Sequence, residues 1–310
     1  MKAQINRIRR ALAGENATSL ESRMVKIQAG RMWAYGGQFC LSVPFPADFD
    51  YGFLPDPVLA FYAIPREGEV LTVQDFTLRI VAGSRSIKVP CVSANSIPVL
   101  DVLGGAVEGT LNMENLKRAA KFFDASDPFG QFSGLTLRPG LMAAGNGKMI
   151  FMGASGLQTR EKVRIPQEAA ETLIFLKQPT VAVFMDRQAI RFDLEDGTRL
   201  TSRLLVDGLP QSMDKVFADR GEEFEISEEA QKEITTMPCE SWEFGGGAAI
   251  HRADDTTGIV TGATESNVEF KVSHLSLTTL LGLSRTLAIS SRSLSVVGED
   301  FAAVTAILRN

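Results

Sequence analysis

The chain has 310 residues, with 32 basic against 37 acidic side chains and a formal net charge of −5. That length predicts two or three domains, and 45% apolar with 22% charged residues describes a globular chain rather than a disordered one. No apolar run reaches the roughly 18 residues of a membrane span. The start MKAQINRIRRALAGE lacks the apolar core of a secretory signal, and Cys40, Cys91 and Cys239 are too scattered for a disulfide framework or a zinc site, so a reducing, cytoplasmic setting is expected.

In chain order, Ile5, Ile8 and Leu12 carry the i, i+3, i+7 stripe of a helix over 2–13. The segments MVKIQAG, RMWAYGG and QFCLSVP follow as strands, and PDPVLAFYAI as a short helix opened by Pro55. Then come the alternating EVLTVQDFTLRI (69–80) and IKVPCVS. The same order starts again at NMENLKRAAKFFDAS. It runs through FSGLTLRPG, LMAAGNG and KMIFMGASG to the helix PQEAAETLIFL, then to TVAVFMDRQAIR (180–191) and TSRLLVDG. An offset of 111 carries Val70 onto Val181, Pro55 onto Pro166, and the first stripe onto Leu116, Ala119 and Phe123. A third, more diverged copy has the helices ISEEAQKEITTM (226–237) and HLSLTTLLGLSR (274–285). Between them lie SWEFGGG, AAIHRAD and GIVTGAT, and the copy closes from Thr286 with TLAISSRSLSVVGEDFAAVTAIL. Self-similarity at a fixed period marks a repeat architecture. The expected organisation is α+β, with three domains at 1–110, 111–220 and 221–310, each of two helices packed on antiparallel sheets.

Charge is unevenly spread. Residues 2–13 carry four basic side chains and no acid, and residues 113–123 carry three against Glu114, which leaves the rest of the chain at −11. At about 100° per residue, Ile5, Ile8 and Leu12 share an arc of roughly 60° while Arg7 and Arg10 lie opposite. Lys117, Arg118 and Lys121 repeat the arrangement around Leu116. Two matched basic helix faces on an acidic chain suit phosphate contact without base readout. The third first helix goes the other way, with Glu225, Glu228, Glu229 and Glu233 against Lys232.

No catalytic constellation emerges. His251 and His274 lie in neither an HExxH nor an H-x-E pattern, GASG (153–156) is not a nucleophile elbow, and GNGK (145–148) is not a phosphate loop. FDLEDG (192–197) and ADDTTG (253–258) read as hairpin turns, and Trp33 and Trp242 as packing residues in strands. The chain reads as a non-enzyme that needs no metal or cofactor.

Three β-rich units, each with two helices, and basic faces on the helices, resemble a DNA polymerase sliding clamp, most of all the bacterial β-subunit type of processivity factor. LTSRLLVDGLPQSMDKVF (200–217) resembles the segment that closes that family's second domain, with Ser202, Arg203, Leu204, Gly208 and Pro210 in place. FSGLTLRPG, RIPQEAAETLIFLK and the closing EDFAAVTAILR resemble further clamp segments. The chain departs from the family where MGASGLQ replaces its ATDGHRL and where its Met/Pro-rich tail becomes Ala306-Ile307-Leu308; these changes fit a diverged clamp, such as one carried by a phage.

The resemblance implies a homodimer closed head to tail into a ring, with sheets outside and helices lining the hole. Its partners would be double-stranded DNA, held without sequence preference, and a DNA polymerase and clamp loader, bound through short peptide motifs. The DNA-facing residues would be Lys2, Arg7, Arg10, Lys117, Arg118 and Lys121. A partner-peptide pocket would use Ser155, Gly156, Leu157, Pro210, Val216, Ala306, Ile307 and Leu308. The competing readings are a trimeric clamp of the eukaryotic type, which would need two units per chain, and a viral structural protein built of repeated β-domains.

Overall fold

The structure, a computed structural model, describes all residues except 15–18, 48, 65–67, 124–133, 206–216, 218–220, 254–255 and 309–310, and not the side chains of 252, 253 and 256. Six α-helices occur among the described residues: α1 (Lys2–Ile8), α2 (Pro55–Phe61), α3 (Met113–Ala120), α4 (Gln167–Leu176), α5 (Glu228–Thr236) and α6 (His274–Leu281). They fall two to each sequence repeat, and antiparallel strands fill the intervals. None of the described helices is long and apolar enough to cross a membrane.

Local chemistry sets the helix starts. Asn112 accepts the backbone N–H groups of Glu114 and Asn115, Ser227 that of Ala230, and Ser273 that of Ser276. Pro55 occupies the first turn of α2, where its missing N–H costs nothing. The first helix corrects an expectation. Helix α1 ends at Ile8 and tightens into a 3₁₀ turn over Arg9–Ala11. The i+3 spacing of that turn brings Ala11 onto the buried side, while Leu12 is extended at φ −79°, ψ 143° and only half-buried. Leu12 is therefore not the third member of a helical stripe.

The chain forms two compact units, one of Met1–Leu111 with Glu168–Leu205, the other of Asn112–Gln167 with Val206–Asn310. This division follows shared sheets: one break, at 111/112, falls at the expected boundary near 110, and the others, at 167/168 and 205/206, fall inside the second repeat. In the first unit, Arg199–Arg203 from the second repeat pairs with Phe39–Pro44 from the first. The joined sheet runs Gly105–Gly109, Thr180–Met185, Ala189–Leu194, Arg199–Arg203, Phe39–Pro44, Arg31–Tyr35, Val25–Gln28 and Tyr51–Phe53. Beyond these lie Arg85–Ser93, Thr77–Ala82 and Glu69–Gln74. Its core includes Ile5, Ile8, Ile27, Leu41, Phe53, Leu78 and Phe192.

In the second unit, Phe301–Ala306 from the third repeat pairs with Met149–Ala154 from the second. That eight-stranded sheet runs from Val163–Ile165 through Leu135–Arg138, Leu141–Gly145, Met149–Ala154, Phe301–Ala306, Ser293–Val297 and Thr286–Ile289 to Glu222–Glu225. The two joints share one register. Ser42 faces Arg199 in the first and Met152 faces Ala302 in the second. A four-stranded sheet of Thr256–Val260, Ala248–Ala253, Ser241–Gly245 and Phe270–Ser273 completes the unit. Corresponding hairpins in the first and third repeats turn on Ala29–Gly30 (φ 52° and 68°) and Gly246–Gly247 (φ 59° and 78°). Two successive positive φ angles define the type I′ turn that matches strand twist.

Candidate DNA-facing and partner-binding surfaces

The six basic residues expected to face DNA fall into two groups. The Lys117 side chain is exposed and makes no hydrogen bond or ion pair among the described residues. Lys2 donates from Nζ to the Tyr62 carbonyl at 2.8 Å, and Lys121 to the Gly282 carbonyl at 3.1 Å. Gly282 caps the C-terminus of α6, whose dipole welcomes a cation. The Arg10 guanidinium lies 4.0 Å from the centre of the Phe175 ring. Among the described residues none of these four cations has a carboxylate partner, so their charge remains available to phosphates.

Arg7 and Arg118 behave otherwise. Arg7 forms an ion pair with Asp196, and its Nε donates to Thr198 Oγ1 at 3.2 Å. Arg118 forms an ion pair with Asp300 at 3.4 Å, lies 3.6 Å from Glu114, donates to Asn115 Oδ1 at 2.8 Å and sits 4.5 Å over the Phe301 ring. The two arginines are equivalent by the 111-residue offset, and each fastens the first helix of one repeat to the last hairpin of the next. Sequence reasoning reads Asp196 as a turn residue and gives Asp300 no role beyond the closing segment EDFAAVTAILR. The visible signal is a carboxylate at the tip of the same hairpin in two repeats.

The residues expected to line a peptide pocket fall into two groups among the described residues. Pro210 and Val216 lie outside the described residues. Ser155 is fully buried, its N–H bonded to the Gly140 carbonyl, and Leu157 is buried with its carbonyl accepting from Gly140. With Gly156 they sit where Ala154 meets Asp300, at the Phe301 end of the joining strand. Ala306, Ile307 and Leu308 continue from its other end, about 17 Å away at roughly 3.4 Å per residue. There Leu308 bridges to Lys271, and Ile307 and Leu308 border a cleft with Phe244, Ile250 and Phe270.

Chemistry elsewhere is that of packing. Burial pushes the Cys40 thiol up to about 12, and it raises Cys91 and Cys239 as well. No group of three or more His, Cys, Asp or Glu side chains placed to hold a metal ion occurs among the described residues.

No family model and no curated protein matches the sequence. Solved structures do match over its whole length. The sliding clamp of Bacillus subtilis superposes with a TM-score of 0.81 at 11% identity, covering 100% of this chain and 97% of that one. The fold is that of a bacterial sliding clamp. A Helicobacter pylori β clamp, solved with a DNA ligase peptide, superposes with a TM-score of 0.80 at 12% identity, and a Pseudomonas aeruginosa clamp bound to griselimycin at 0.81 and 13%; each covers 100% of this chain and 97% of its own. The clamp fold thus spans nearly the full length of each of these structures at 11–13% identity.

Proposed function

We propose that the chain is a DNA sliding clamp of three repeated domains, 1–110, 111–220 and 221–310. Two copies would close into a ring around duplex DNA and tether a polymerase. The observation that carries this reading is the clamp fold over the whole chain together with two incomplete sheets. Each internal joint fuses strands of two successive repeats into one sheet. The strands Glu69–Gln74, Thr77–Ala82 and Arg85–Ser93, tied to the first unit's sheet only through Tyr51–Phe53, and the four-stranded sheet of the third repeat gain no such complement from another repeat. A second copy supplies both, and closure removes the open strand edges.

Within the ring, Lys2, Arg10, Lys117 and Lys121 hold phosphates weakly and without reading bases, which permits sliding while encirclement prevents loss. Arg7 and Arg118 hold the domains together. The clamp binds DNA without transforming it. A polymerase and a clamp loader dock by short peptides, for which the Ile307–Leu308 cleft offers apolar anchors beside Lys271 and Glu243.

The test is retention on DNA. Protein loaded onto a nicked circle is expected to stay bound in high salt and to run off once the circle is cut, with a light-scattering mass near twice 33.7 kDa. Release from circular and linear DNA at the same salt concentration would remove the encircling reading, and tubes or particles in negative stain would favour a structural protein. Arg10→Glu with Lys117→Glu and Lys121→Glu should weaken loading and flatten the salt dependence by about 0.9 for each phosphate no longer neutralised. An unchanged slope excludes these residues from the DNA face.

A further inference from the structure

Inside the second unit, charge changes sign between two equivalent helices. Counted from the N-caps Met1 and Asn112, the fifth, sixth and ninth residues are Asn6, Arg7 and Arg10 in the first repeat and Lys117, Arg118 and Lys121 in the second. Counted from Ser227 in the third repeat they are Lys232, Glu233 and Thr236. The one base kept there is neutralised locally, because Lys232 Nζ donates to Glu228 Oε1 at 2.8 Å, one turn back. Glu229 and Glu233 are exposed, and their side chains make no ion pair or hydrogen bond among the described residues. Glu228, Glu229 and Glu233 against Lys232 give α5 a charge of −2, where residues 113–123 carry +2.

The neighbouring helices do not offset this. The C-terminal carbonyls of α6 are taken from both sides: Gly282 accepts from Lys121 Nζ at the end of α3, and Leu281 accepts from Gln231 Nε2 of α5 at 2.9 Å. Helix α6 itself contains no Lys, Arg, Asp or Glu. The other second helices bring no base either. Helix α2 holds Asp56, α4 holds Glu168 and Glu171, and neither contains Lys or Arg. Within the second unit the charge thus runs from basic α3 past neutral α6 to acidic α5.

We propose that α5 repels duplex DNA through Glu229 and Glu233, so that the duplex rides on the first helices of the first two repeats and is held off the third. This deepens the clamp reading above and rests on it, since α5 occupies in its repeat the place of α1 and α3 in theirs. At 0.1 M salt, exposed charges act over about 10 Å, roughly the width of one helix. A phosphate moving from α3 toward α5 therefore meets the change of sign close to the protein surface, while the far side of the hole does not sense it. Repulsion of that range sets where a strand rests and leaves encirclement, which is a matter of topology, unopposed. In a ring of two copies the third repeats interrupt the basic surface twice, so a duplex settles on one copy's first two repeats at a time. Fewer phosphates are then neutralised together, which keeps contact weak and sliding free.

The test uses protein loaded on a nicked circle, with a benzophenone photocrosslinking residue at one of the equivalent ninth positions, 121 or 236. In otherwise wild-type protein, adducts with DNA are expected from 121 and at least about fivefold fewer from 236. Glu229→Lys with Glu233→Lys leaves the Glu228–Lys232 pair intact. It is expected to raise crosslinking from 236 to the level of 121, and to steepen the salt dependence of duplex binding by about 0.9 for each phosphate gained. Glu108→Lys with Glu265→Lys makes the same change in net charge at exposed positions on a strand and a turn, and is expected to do neither. Glu229→Gln with Glu233→Gln removes the repulsion without adding a base, and is expected to raise the 236 signal even if the Lys variant fails to fold. Equal adducts from 121 and 236 in wild type, a 236 signal that stays low in both α5 variants, or an equal response to the control overturns the repulsion and leaves the clamp standing. Wild type released from intact circles in high salt overturns the clamp reading itself.

Discussion

At the scale of single residues, the third repeat holds a titrating group with a defined sign. The Trp242 side chain is fully buried, and its Nε1 donates to His274 Nδ1 at 3.0 Å. His274 must therefore be neutral, with its proton on Nε2. It is also the first residue of α6, where the helix dipole opposes a cation. Burial lowers its pKa below the ordinary imidazole value of 6.5. A group whose pKa is depressed on folding contributes stability above the unfolded value and loses it as pH falls through the folded value. Chemical denaturation of wild type should show a midpoint that falls below about pH 6.5. In His274→Asn, whose side-chain oxygen can accept from Trp242 without titrating, that part of the fall should be absent. Parallel pH profiles for the two proteins would show that His274 is not the titrating group.

At the scale of elements, the alternating and helical patterns placed the strands and all six described helices, because each is written in the spacing of its own apolar residues. What joins the elements was not written there. Period-2 alternation fixes which face of Phe39–Pro44 is buried but not that its neighbour is Arg199–Arg203, some 160 residues away. The same gap hides how the expected pocket residues are spaced. Ser155 and Ala306 both flank the strand pair Met149–Ala154 and Phe301–Ala306, yet antiparallel pairing puts them at opposite ends. It also hid the acidic partners of Arg7 and Arg118, which sit in hairpins distant in sequence. One of these joints can be weighed. The Asp300 carboxylate accepts from Asn112, Asn115 and Arg118, and Asn115 is wholly buried. Asp300→Ala should cost about 1–3 kcal/mol, the range for hydrogen bonds to a charged acceptor. Thermal unfolding of the variant measures it, and a loss below about 0.5 kcal/mol would mean the helix–hairpin contact is held by apolar packing alone.

At the scale of the whole molecule, the sequence repeat and the folding unit are not the same object. The third repeat cannot complete its sheet, because the outer side of Phe301–Ala306 is covered by Met149–Ala154 from the second. Phe301 stacks on Phe151 with ring centroids 6.0 Å apart, and Phe151 packs on Phe122 at 5.5 Å, so an aromatic column crosses the repeat boundary. Cutting at 220 would leave 221–310 with an open apolar edge, a template for aggregation rather than a stable domain. A fragment of 112–167 joined by a short linker to 206–310 is the second unit alone and keeps both strands of its joint. It is expected to melt cooperatively and to resist protease, whereas 221–310 alone should show no cooperative transition and should bind a hydrophobic dye. Circular dichroism melts of the two fragments decide the point. If 221–310 unfolded cooperatively near the temperature of the joined fragment, the repeats would be independent domains, and the shared sheet would be a contact between finished parts rather than part of the core that makes them fold.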